Sequence, residues 1–129
     1  MTVKDLISRE PVSVSPNATI VEAAKIMKRE RVGSLLVRIG EEAKGILSER
    51  DIIYAIASDL PLNTRVEEVM STNLVTADSG MDVGEAALLL ADKGVRHLVI
   101  KENGKIIGVI SIRDIARSLG LLTTDLSVW

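Results

Sequence analysis

Residue n of this chain resembles residue n + 63, without a gap, over Val3–Ile52 against Val66–Ile115. Thirteen of those 50 aligned pairs are identical, among them Val3/Val66, Ala23/Ala86, Gly45/Gly108, Ser48/Ser111, Arg50/Arg113 and Asp51/Asp114. A duplication of fixed period constrains the fold more than any local pattern, because both copies must form the same supersecondary unit. The densest match is also the most polar: Gly45-Ile46-Leu47-Ser48-Glu49-Arg50-Asp51 against Gly108-Val109-Ile110-Ser111-Ile112-Arg113-Asp114. Core packing explains a repeated Val or Ala. It does not by itself explain a repeated Ser-x-Arg-Asp.

At 129 residues, each copy alone lies near the lower limit for independent folding, so the two are expected to pack as a pair. Hydrophobic residues make up 47% of the chain, yet Tyr54 and Trp129 are its only aromatic rings besides His97. The core must therefore be aliphatic. A net charge of −2 offers no strong field for nucleic acid or an anionic membrane, and few rings are present on which bases could stack. There is no cysteine, which excludes disulfides and thiolate chemistry. Met1-Thr2-Val3-Lys4-Asp5 lacks the layout of a signal peptide, and no apolar run reaches the ~20 residues of a membrane span. The expectation is a cytoplasmic protein with neither nucleic-acid nor membrane partners.

Each copy reads β-α-β-β-α. Thr19-Ile20-Val21-Glu22 and Asp82-Val83-Gly84-Glu85 have the form of capping boxes opening a helix. Ile20, Ala23, Ala24 and Met27 recur at helical spacing, as do Val83, Ala86, Ala87 and Leu90. A strand pair follows, Ser34–Ile39 with Lys44–Leu47 and His97–Lys101 with Lys105–Ile110, the second turning through Asn103-Gly104. A second helix starts at Ser48 or Ser111, and Gly120 is a plausible stop. The chain thus divides into 1–65, 66–120 and an apolar tail, 121–129, expected to dock on something.

A helix start presents unpaired N–H groups and a partial positive charge, which suit an anion. Ser48 adds a hydroxyl, Arg50 a charged donor and Asp51 an acceptor for sugar hydroxyls; Ser111, Arg113 and Asp114 repeat the set. Such a set suits a ribose-phosphate. Ser-x-x-Asp is equally a capping box, and the two readings are compatible. The copies also differ. Gly33-Ser34 aligns with Arg96-His97, Lys25 with Leu88 and Arg29 with Asp92. With a single histidine and no nucleophile–base pair, neither a metal site nor a catalytic centre is expected.

Two β-α-β-β-α repeats, each closing with Gly-hydrophobic-x-Ser-x-Arg-Asp, resemble a tandem pair of CBS domains, the Bateman module. The resemblance implies an α/β (α+β) fold of two pseudo-symmetric repeats packed sheet to sheet. It implies a non-catalytic sensor binding AMP, ADP or ATP in one or both clefts between the repeats, with no cofactor required. Asp51 and Asp114 would hold ribose. Ser48, Arg50, Ser111, Arg113, Arg96 and His97 would meet ribose or phosphate. Val12, Val14, Val32, Val75, Ala77 and Val95 would line the adenine. S-adenosylmethionine is the alternative ligand, disfavoured by the basic residues, and a structural dimerisation module without a ligand is the alternative function. A homodimer and a regulated protein acting in trans are the expected partners, the former through the apolar excess of Leu88-Leu89-Leu90.

Overall fold

A computed structural model of the chain describes residues 1–120; the apolar tail, whose docking the sequence suggests, lies outside them. The first copy forms β1 (Ser13–Val14), α1 (Ile20–Glu30), β2 (Ser34–Ile39), β3 (Glu42–Ser48) and α2 (Glu49–Ala57). The second forms β4 (Thr76–Asp78), α3 (Val83–Lys93), β5 (His97–Glu102), β6 (Lys105–Ser111) and α4 (Ile112–Ser118). Short 3₁₀ turns, Val3–Leu6 and Val66–Glu68, precede each set. The fold is mixed α and β, with two three-stranded sheets ordered β1-β2-β3 and β4-β5-β6. In each, the first pairing is parallel and the second antiparallel. Even the irregularity repeats: the register slips between Val37 and Arg38 and again between Ile100 and Lys101.

Local chemistry explains the element boundaries. Thr19 and Glu22 form the expected reciprocal capping box at α1. Asp82 caps α3 differently, accepting from the Gly84 N–H at 2.9 Å without a reciprocal bond from Glu85. The Asp82 carboxylate bonds the second helical N–H, where Thr19 bonds the third, so the cap is made without the reciprocal partner. Arg31 and Gly94 close α1 and α3 at equivalent positions, both left-handed, with φ of 57° and 64°. Asn103 and Gly104 take φ of 51° and 79°, the paired positive values a tight type I′ hairpin requires. The first hairpin turns tighter than the sequence suggests, at Gly40-Glu41, and β3 already begins at Glu42.

The packing units do not follow the repeat boundaries. One compact unit is Pro11–Leu74; the other joins Met1–Glu10 to residues from Val75 onward. The cause is an exchange of opening segments. The Val66 N–H donates to the Ala18 carbonyl at 2.7 Å, and Glu67 N–H to Pro16 at 3.1 Å. At the equivalent places, Val3 N–H donates to Met81 at 2.8 Å and Lys4 N–H to Ser79 at 3.3 Å. Val3 and Val66 are fully buried. Val66 lies in the core with Ile20, Leu35, Leu47 and Ile52, and Val3 in the core with Val83, Leu98, Ile110 and Ile115. Each opening turn therefore completes the core of the other repeat's sheet and helices.

This exchange also accounts for the repeated glycine. A Cβ on Gly45 would stand 2.7 Å from both the Met70 sulfur and the Ser71 carbonyl oxygen; one on Gly108 would stand 2.7 Å from Ile7 Cδ1. Met70 and Ile7 are 63 residues apart. In each unit the glycine admits an opening segment against the sheet, so its repetition reflects packing. Ser71 and Ile46 also exchange two backbone hydrogen bonds, 2.9 and 3.0 Å, which pin that segment to β3.

Candidate functional site

The polar helix starts are built alike. Ser48 N–H donates to Asp51 Oδ2 at 2.8 Å, the Ser48 hydroxyl donates to the same oxygen at 3.0 Å, and Asp51 N–H donates back to Ser48 Oγ at 3.3 Å. Around Ser111 and Asp114 the three distances are 2.7, 3.0 and 3.2 Å. Both are full capping boxes, as the spacing allows. The first helical N–H of each is also engaged: Glu49 N–H donates to the Gly33 carbonyl at 3.0 Å, and Ile112 N–H to that of Arg96 at 3.1 Å. At α2 the Arg50 N–H has no such partner among the described residues. An incoming anion there would rely chiefly on side chains, because the backbone donors of the helix end are largely spent on the cap.

Capping uses Oδ2 of each aspartate, and Oδ1 is where the two copies part. Among the described residues, Asp51 Oδ1 has no hydrogen-bond or ion-pair partner. Asp114 Oδ1 faces the Arg117 guanidinium at 3.5 Å, an i,i+3 pair on α4 with both side chains about one-third exposed. A carboxylate offers about four acceptor positions, so capping alone leaves Asp51 able to accept two more hydroxyls.

The strand pairing brings the other basic candidates to the same place. His97 is paired directly with Ser111 across β5 and β6, as Ser34 is with Ser48 across β2 and β3. Through its carbonyl, Arg96 is bonded to the first turn of α4. So Arg96 and His97 gather at the second helix start with Ser111, Arg113 and Asp114. At the first, Gly33 instead faces Glu49, whose carboxylate oxygen lies 3.4 Å from where a glycine Cβ would be. Glu49 aligns with Ile112. One helix start thus carries added acid and the other added base. Glu49 is a departure within the aligned repeat, whereas Arg117 lies two residues past its end, opposite Tyr54 at the same spacing.

The six apolar candidates divide in two. Val14 and Ala77 are buried within the cores. Val12, Val32, Val75 and Val95 pack at the core edges and stay partly exposed. Two surface depressions of about 570 Å³ lie elsewhere. One is lined by Leu60, Pro61, Asn63, Thr64, Arg65 and Glu68, the other by Met81, Glu85, Leu88, Leu89 and Asp92. A carboxyl shifted by its neighbour also lies apart from the site: the Lys44 ammonium, 2.7 Å away, holds Glu42 below the ordinary carboxylate range, at the far end of β3 from Ser48. Among the described residues there is no metal-competent cluster of histidine and carboxylates, and no helix long and apolar enough to cross a membrane.

Two three-stranded sheets, each leading through a Ser–Asp cap into a helix, are the architecture of a known module: the chain belongs to the CBS domain family, whose model matches residues 3–58 and 66–121. It is 37% identical to the CBS domain-containing protein YhcV of Bacillus subtilis over 89% of this chain and 83% of that protein. It spans 65% and 61% of the length of two further curated relatives. Among solved structures, it is similar to the CBS domain protein PAE2072 from Pyrobaculum aerophilum complexed with AMP. The TM-score is 0.81 and the identity 31%, covering 94% of this chain and 98% of that one. The CBS domain pair of protein MJ0100, in complex with 5′-methylthioadenosine and S-adenosyl-L-methionine, aligns with a TM-score of 0.82 at 26% identity, covering 93% and 96%.

Proposed function

We propose that this chain is a non-catalytic regulatory module that binds an adenine nucleotide, AMP, ADP or ATP, through the helix starts at Ser48–Asp51 and Ser111–Asp114. The carrying observation is that each aspartate is held rigidly through one oxygen by its cap while the other points away from that duty. Capping and ribose binding then use different oxygens of one side chain. Val12 and Val32, and Val75 and Val95, supply partly exposed apolar surface for adenine. Arg50, Arg96, His97 and Arg113 supply positive or polarisable groups for phosphate. The AMP complex of a 31%-identical relative supports the ligand class.

A second reading, S-adenosylmethionine, is favoured by the MJ0100 complex and by Glu49 at the first helix start, which suits a sulfonium better than a phosphate. Binding shifts the module between states only by its differential affinity for them, so the ligand that regulates must stabilise one arrangement. The regulated protein is reached in trans, and a second copy is the expected partner of the α3 face, where Leu88 is 73% exposed.

Calorimetry and thermal shift with AMP, ADP, ATP, GTP and S-adenosylmethionine test the ligand. Saturable binding of an adenine nucleotide below millimolar concentration, with GTP and S-adenosylmethionine weaker, is expected. No saturable binding by any of them would remove the sensor function in favour of a purely structural module. Light scattering on Leu88→Glu tests the dimer, which should dissociate.

A further inference from the structure

We propose that Arg117 competes with a bound nucleotide's ribose for Asp114, making the second site intrinsically weaker toward the nucleoside than the first. The inference rests on the ribose role proposed for the two aspartates and goes on to rank them. The position equivalent to Arg117 is Tyr54, 63 residues earlier, which offers no cation to Asp51. Asp51 Oδ1 has no partner among the described residues, whereas Asp114 Oδ1 sits 3.5 Å from Arg117 Nη1. Ribose hydroxyls arriving at Asp114 must share or displace that guanidinium. At Asp51 they meet an acceptor with nothing to give up.

The size of the effect follows from exposure. The Asp114 and Arg117 side chains are 35% and 37% exposed, so the pair is a solvent-screened one whose loss changes an equilibrium by up to about fivefold. Arg117 is a modulating residue, acting on the ligand through the carboxylate it holds.

Adenosine, which carries the ribose and no phosphate, is the probe that isolates this competition, and AMP is its control. Titrations of the full chain compare Asp51→Ala, which leaves the second site, with the same chain also carrying Arg117→Tyr or Arg117→Lys. Adenosine should bind the Arg117→Tyr form up to about fivefold more tightly, while Arg117→Lys should stay near the parent. Adenosine binding no better after Arg117→Tyr, or binding neither form, overturns the proposal. A drop in AMP affinity with adenosine unchanged also overturns it, and makes Arg117 a phosphate contact instead. If the double variant fails to fold, Arg117→Tyr alone is read as a tightening of the weaker of two adenosine-binding classes; no tightening has the same negative meaning. The parent reading fails separately, if Asp51→Ala with Asp114→Ala binds AMP as the unaltered chain does.

Discussion

Asp51 caps α2, and with the ribose role proposed for it carries two duties that a single substitution separates imperfectly. Asp51→Ala removes the reciprocal cap and should destabilise the protein by about 1 kcal/mol, while costing roughly 1.5–3 kcal/mol in nucleotide affinity at that site. Urea denaturation and calorimetry on the same preparation give both numbers. An affinity equal to the parent's would leave capping as the whole account of the motif. Arg31 presents the reverse opportunity. It holds φ of 57°, where its counterpart is Gly94 at 64°, so Arg31→Gly should stabilise the protein by about 1 kcal/mol in the same denaturation assay. Gly45 cannot be exchanged so easily. Gly45→Ala pushes a methyl onto the Ser71 carbonyl, which is backbone and pinned by two hydrogen bonds, and should cost about 1–3 kcal/mol. Gly108→Ala meets the Ile7 side chain first, which can shift where backbone cannot, and should cost less.

At the level of elements, the helices and hairpins could be read from local signals. Thr19 with Glu22 and Ser48 with Asp51 announce helix starts through bonds spanning three residues, and Asn103-Gly104 announces its turn through two adjacent positive φ values. The partners of the opening turns could not be read this way. Val3 and Val66 look alike in sequence, and nothing within ten residues of either says that its core lies in the other repeat. That pairing depends on contacts such as Val3 to Met81, which no periodicity encodes. The same holds for Gly45, whose repetition reads as part of a ligand motif until Met70 and Ser71 are seen against it. The exchange makes a measurable claim. Deleting residues 1–10 removes Val3, Leu6 and Ile7 from the second core and should strip hydrogen-exchange protection from β4, β5 and β6, leaving β1, β2 and β3 protected. Uniform loss or uniform retention would contradict the division into units.

Over the whole molecule, ligand binding should be visible as stability. A nucleotide present at 100 times its dissociation constant adds about 2.7 kcal/mol per occupied site, so AMP should raise the melting temperature in a concentration-dependent way. With adenosine, which carries no phosphate, Asp51→Ala should remove most of the rise seen at the lowest concentrations, where the site without the Arg117 competitor fills first. The exchange of opening turns has one more consequence, in the order of synthesis. The unit Pro11–Leu74 is continuous and has all its parts once Leu74 has left the ribosome. Val3, made before that unit, waits for Ile110 and Ile115, which are made after it. At 5–20 residues per second the forty or so residues between Leu74 and Ile115 take about 2–8 s. For that interval the nascent chain carries a finished unit and an apolar opening turn, Val3–Leu6, with no core to enter.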